Sequence, residues 1–210
     1  MSQDDFASSD PIDASAPRGL ARVALAAWLI GVVFVLALLW RYDSTPGLAA
    51  TAPSIWPADA RVALSTDRPT LLVTLHAYCP CSSATISEVA WVADRAHARF
   101  HITFLVEAPD EVSDDALAAS AAYRLASAIL GASVVRDRGG HDAALLDAHT
   151  SGQTYLYEPD GSLAFAGGLT WARGHEGDSD GRDEVLARID RAGAAMASAA
   201  VFGCPLEVAP

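Results

Sequence analysis

The chain has 210 residues and a mass of 21.9 kDa, enough for one domain and an additional segment. Hydrophobic residues make up 51% and charged residues 19%, which excludes a disordered chain and leaves ample material for a core without a disulfide scaffold. The 26 acidic residues outweigh 14 basic ones for a formal charge of -12, and every basic residue is an arginine. That balance excludes a basic phosphate-binding face, and with it nucleic acid as the main partner.

Residues 1–19 are Ser, Asp, Ala and Pro with little that can pack, and read as a disordered tail. The mean hydropathy of +0.23 comes from one apolar stretch. Between Leu20 and Trp40 the only ionisable side chain is Arg22. Such a helix spans roughly 30 Å at ~1.5 Å per residue, the thickness of a bilayer's hydrocarbon core. Trp40 and Tyr42 stand where an interfacial aromatic anchor lies. A cleaved signal peptide is the alternative, with Ala49, Ala50 and Ala52 as cleavage-site residues; its apolar region ordinarily runs only ~7–15 residues, so a retained anchor is favoured. Arg18 and Arg22 against Arg41 place the N-terminus in the cytoplasm and the folded domain outside.

Residues 41–60, with Pro46, Pro53 and Pro57, read as a tether, and the domain is expected over 61–204 with a short tail at 205–210. Its first element is the apolar run Thr70–Leu75, suited to a central strand. A helical pattern comes after the Cys79-Pro80-Cys81 turn, with Ile86, Val89, Val92, Ala93 and Ala96 on its apolar face and Glu88 off it. Thr85 and Glu88 have the form of a capping box, although the helix can equally begin at Cys81 or Ser82. Phe100–Glu107 is a second strand, Asp114–Leu130 a helix stopped by Gly131, and Ser133–Val135 a third strand. A brief helix at 141–148 precedes a hairpin, Thr154–Tyr157 and Leu163–Ala166 about Pro159-Asp160-Gly161. A polar loop over 170–181 leads into a last helix from Arg182 to Ala200. Strands alternating with helices and closed by a hairpin predict a small α/β sheet covered on both faces.

The chemistry concentrates at the first strand-to-helix turn. A thiolate at a helix start is favoured by exposed N–H groups and the macrodipole. A second thiol beside it can resolve a mixed disulfide. Cys79 therefore reads as the attacking and Cys81 as the resolving cysteine. A soft-metal reading competes, in which Cys79, Cys81 and a histidine, His76, hold copper; a third possibility is a degenerate interaction module.

The layout resembles the thioredoxin fold over roughly Arg61–Ala200, as a three-layer domain preceded by one transmembrane helix. More narrowly, the segments HAYCPCSSATISEVA, TSGQTYLYEPDGSLAFAGGLTWARGHEGD and VFGCPL resemble the bacterial membrane-anchored, thioredoxin-like family called RedB. The resemblance implies a thiol–disulfide oxidoreductase of the bacterial inner membrane with a periplasmic domain. The family's substrates are poorly defined; for this chain protein or small-molecule thiol and disulfide substrates and no cofactor are expected. Two departures from ordinary thioredoxins stand out. The redox pair is separated by one residue, and the position that normally holds a cis-proline facing the dithiol is Gly152.

In such a sheet the loop after the hairpin returns to the dithiol edge. His175 then reads as a base for a thiol and Arg173 as an electrostatic partner of the Cys79 thiolate. Asp178-Ser179-Asp180-Gly181 lacks the ligand set of a calcium loop. Cys204 is the odd thiol. A helix unbroken to Ala200 would carry the chain ~28 Å away, and four extended residues return only ~14 Å, so direct pairing with Cys79 or Cys81 within one domain is not expected. An intermolecular disulfide, a free thiol or a helix that breaks near Gly193 would each give Cys204 a role, as a second-rank redox candidate.

Overall fold

Alternation along the strands assigns their side chains to two separate cores. In the computed structural model, which describes residues 18–97, 99–191 and 198–206, Leu71, Val73 and Leu75 of strand β1 (Thr70–His76) enter one apolar cluster and Leu72 the other. The same alternation runs through β2 (His101–Glu107), where Ile102, Phe104 and Val106 face the first cluster and Leu105 the second. With β3 (Ala132–Asp137), β4 (Thr154–Tyr157) and β5 (Leu163–Gly167) these form a five-stranded sheet in the order β3-β2-β1-β4-β5. The first three strands are parallel, and β4 and β5 antiparallel.

The first core lies under helices α2 (Ser82–Ala96), α3 (Asp114–Ala118), α4 (Ala121–Ser127) and α6 (Asp180–Ile189). The second lies under α5 (His141–Leu145) and the segment leading into the domain. This is the expected three-layer, thioredoxin-like arrangement. The N-terminal unit, through Tyr42, is separate from the domain. Its helix α1 (Arg18–Asp43) is apolar and exposed, long and apolar enough from Gly19 onward to cross a membrane. The proposed tail lies outside the described residues up to position 17.

Several boundaries differ from the sequence reading. The helix expected over 114–130 is two, because Ser120 turns extended and its Oγ accepts from Tyr123 N at 3.3 Å to start α4 afresh. The capping-box reading of Thr85 and Glu88 does not hold, since α2 begins at Ser82. Glu88 is instead buried and paired with Arg182 of α6 at 3.2 Å. The segment 44–60 is no free tether. Gly47 N donates to Val201 O, Trp56 N to Gly161 O, and Tyr157 Oη to Pro53 O, while Ala50, Ala52 and Trp56 pack on the second core.

The largest difference is at the end of the chain. Helix α6 has ten residues and stops at Ile189, with Arg191 in the left-handed region at φ 55. Residues 192–197 lie outside the described ones, and 198–206 form no helix, so the helix expected to Ala200 is cut short. The physical reason is close backbone packing. A Cβ on Gly167 or Gly168 would fall 2.5 Å from Ala199 N or Ala200 O. Ser198 bridges Ala166 as a strand does, and no helix fits so near the sheet edge. From there the chain passes Thr150, which Pro205 bridges antiparallel. Pro205 and Leu206 therefore belong to the domain.

Candidate active site

Strand β1 delivers His76, and Cys79 comes one tight turn later, its N–H donating to His76 O at 3.1 Å. Cys81 is the N-cap of α2, directly before Ser82, with φ -72 and ψ -16. The loop 150–152 closes over this turn. Ser151 Oγ accepts from His76 N at 3.0 Å and lies 3.1 Å from Ser82 Oγ, and Gly152 N donates to Thr74 O at 2.7 Å. Gly152 adopts φ +95, and a Cβ there would meet Thr85 Oγ1 at 2.9 Å, so glycine is required by both backbone and space. Among the described residues no peptide is cis.

Onto this frame the last segment brings a third sulfur. Ser151 N donates to Cys204 O and Leu206 N to His149 O, at 2.8 and 2.9 Å. Cys204 Sγ then lies 2.7 Å from Cys79 Sγ. The Sγ atoms of Cys79, Cys81 and Cys204 all lie within 4.8 Å of one another. The expectation that Cys204 cannot reach the pair is thus overturned, because its premise, a helix to Ala200, fails at Ile189.

Electrostatics separate the three. Burial pushes the Cys79 thiol up, but hydrogen bonds from the Cys204 thiol, from the N–H groups of Cys204 and Cys81, and from Ser151 outweigh it and hold the pKa below the ordinary thiol range. Burial and the charge on Cys79 push Cys81 up. Burial and the hydrogen bond it gives Cys79 push Cys204 up to about 12. Cys79 is thus the most acidic thiol of the group, and the other two hold their protons more tightly.

The loop after the hairpin does reach this edge: a Cβ on Gly174 would stand 4.0 Å from Cys81 Sγ. The charge of Arg173 favours the thiolates of Cys81 and Cys204, in place of the Cys79 thiolate expected from the sequence. Arg173→Ala is accordingly expected to move the alkylation midpoints of Cys81 and Cys204 to higher pH, read by mass spectrometry on pulse-labelled protein. Unchanged midpoints at both would remove Arg173 from the site. His175 turns elsewhere, its ring 4.7 Å from that of Trp171 and its Nε2 4.0 Å from the Asp43 carboxylate. None of these contacts is with a sulfur. His76 Nδ1 accepts from Tyr78 N at 3.3 Å, and among the described residues the metal-capable group is the three cysteines without a histidine.

Sequence reasoning ranks Cys204 second among the redox candidates and misses the support that brings it to Cys79. The available signal is Gly203 before it. A Cβ on Gly203 would lie 1.9 Å from Ser151 O, so the segment lies flush on the loop only because that residue lacks a side chain. Gly203→Ala should lift the segment, speed alkylation of Cys204 and lower the unfolding free energy by about 1–3 kcal/mol. Unaltered labelling and melting would show that the contact tolerates a methyl group.

No protein-family model matches the chain, and no curated protein sequence does. Solved structures show the fold. A hypothetical protein from Sinorhizobium meliloti superposes with a TM-score of 0.57 at 16% identity, covering 79% of this chain and 95% of that one. An uncharacterized conserved protein from Geobacillus kaustophilus does so with 0.56 at 15%, covering 80% and 94%. More loosely, at 0.40 and 16% identity, a secreted Mycobacterium tuberculosis disulfide oxidoreductase covers 60% of this chain and 83% of its own. The domain is thioredoxin-like, with a cysteine cluster at the end of its central strand and an apolar helix before it.

Proposed function

We propose that this chain is a membrane-anchored, extracytoplasmic thiol–disulfide oxidoreductase in which Cys79 is the attacking thiolate. The observation that carries the reading is the meeting of three sulfurs, all within 4.8 Å of one another, beside the start of α2, with Cys79 the one thiol of the three whose pKa is lowered. Such an environment favours the anion at Cys79. A groove of ≈ 320 Å³, lined by Tyr78, Pro80, Ala121, Ala122 and Leu125 among others, opens beside Cys79 and admits a substrate disulfide. Attack by the thiolate forms a mixed disulfide and expels one substrate thiolate; a second cysteine of the chain then attacks Cys79 Sγ and expels the other. The resemblance of three segments, around Cys79, the hairpin and Cys204, to RedB supports the same class.

The test is reduction of a small disulfide by the reduced, full-length protein in detergent. Release of two substrate thiols per protein supports the reading, and none overturns it. For the anchor, a C-terminal reporter is expected to be active only outside the cytoplasm, in keeping with the Arg18 and Arg22 bias. Activity inside would reverse the orientation, and a mature form starting near residue 50 would remove the anchor.

The convergence of three sulfurs supports a second reading, a site for copper(I), a soft ion that thiolates select. Cys79, Cys81 and Cys204 would hold it. Titrating the reduced protein with copper(I) against a chromophoric chelator separates the readings. One tight equivalent lost in Cys204→Ser favours the metal, and disulfide reduction without such binding favours exchange.

A further inference from the structure

Among the cysteines available to resolve a mixed disulfide on Cys79, the arrangement of the last segment singles one out. Cys204 Sγ and Cys79 Sγ lie side by side, 2.7 Å apart, within one small side-chain movement of a bond. Its main chain is not a loose end. Hydrogen bonds join Ser151 N to Cys204 O, Leu206 N to His149 O and Gly47 N to Val201 O, and Pro205 pairs with Thr150 as a short antiparallel bridge. Gly203 and Gly168 allow this segment to approach backbone at distances that a Cβ would forbid. Val201 and Leu206 are buried on either side of the cysteine. Two glycines, a bridge and two apolar anchors thus hold one thiol against Cys79. Cys81, by contrast, is tied to Cys79 through a single proline, and a disulfide between them closes a much smaller ring.

We infer that Cys204 is the resolving cysteine, and that the oxidised form of the protein carries a Cys79–Cys204 disulfide across the domain. This rests on the exchange function proposed above and names the partner within it. Cys79 thiolate attacks a substrate disulfide, forming Cys79–S–S–R and releasing the other half as thiolate, which takes the Cys204 proton. Cys204 thiolate then attacks Cys79 Sγ, the Cys79–R bond breaks, and R leaves as thiolate to be protonated by solvent. The substrate disulfide gains two electrons, and the Cys79 and Cys204 sulfurs lose them. Cys81 stays reduced throughout.

The experiment uses the full-length reduced protein in detergent with oxidised glutathione as the substrate disulfide. Remaining thiols are blocked at timed intervals and the bonds mapped by non-reducing peptide mass spectrometry. The wild type is expected to yield a Cys79–Cys204 linked peptide with Cys81 alkylated. Cys81→Ser should give the same linkage. Cys204→Ser should accumulate the glutathione adduct on Cys79 by about tenfold or more over wild type, since an intramolecular thiol at millimolar effective concentration has been removed. A Cys79–Cys81 bond in the wild type, with no added adduct in Cys204→Ser, overturns the assignment while leaving exchange intact. No glutathione released by the wild type overturns exchange, and this assignment with it. Because the wild-type map is read directly, a poorly folding variant does not decide the outcome.

Discussion

Cys79→Ser is expected to reduce disulfide-exchange activity to the uncatalysed background, a loss of about a hundredfold or more, because the attacking atom is removed. The effect should be larger than that of either other cysteine. Cys79 is the thiol whose pKa is lowered, while those of Cys81 and Cys204 are raised. A serine hydroxyl in the same place is not ionised near neutral pH and cannot form the mixed disulfide. The direction of the shift sets the pH dependence. A lowered thiol pKa carries the acid limb of the rate profile with it, so the wild-type rate should fall off at a lower pH than that of an ordinary thiol. Cys81→Ser should preserve this acid limb, because Cys81 carries its proton where Cys79 does not. If Cys79→Ser retained exchange while Cys81→Ser abolished it, the roles assigned here would be reversed.

Glu88→Ala is expected to cost about 3 kcal/mol and to lower Tm by about 10 °C. Both members of the Glu88–Arg182 pair have side chains only 4% exposed, and Arg182 lies over the Trp91 ring with its guanidinium 3.9 Å from the centroid. Removing the carboxylate leaves a buried cation whose other partners, Asp178 and Asp183, are exposed at 99% and 61%. Desolvation is then no longer offset. The same carboxylate accepts from Gly177 N at 2.6 Å, which ties the loop carrying Arg173 to α2. Glu88→Gln keeps an acceptor for Gly177 and should lose less than Glu88→Ala. Calorimetry on both variants checks the ordering; equal melting of all three proteins would mean that the pair contributes nothing.

The two halves of the site differ in how openly the sequence carries them. Thr70–Leu75 is an apolar run bounded by a proline before and a histidine after, and Cys79-Pro80-Cys81 comes directly behind. Local pattern alone therefore places a dithiol between a strand and a helix, as found. The hairpin about Gly161, at φ +86, is equally local. Glu88 misleads because its burial depends on Arg182, ninety-four residues further on, and periodicity within α2 says nothing of a charge waiting there. Cys204 is hidden by a propensity argument. The alanine-rich stretch after Arg191 has the composition of a helix, yet α6 stops at Ile189, and the backbone of Ala199 and Ala200 lies flush on Gly167 and Gly168, where tertiary packing overrides local preference. The proline-containing stretch 44–60 misleads similarly. Its Ala50 and Ala52 pack against the second core together with Trp56.

The central claim is that the protein holds Cys79 as a thiolate against two protonated neighbours, and the pH dependence of its alkylation tests this most directly. Reduced full-length protein is pulsed with iodoacetamide across a pH series, and the modification of each cysteine is read by peptide mass spectrometry. Cys79 should reach half-maximal modification below the ordinary thiol range, with Cys81 and Cys204 half-modified only above it. A Cys79 midpoint at or above that of a free thiol would contradict the claim.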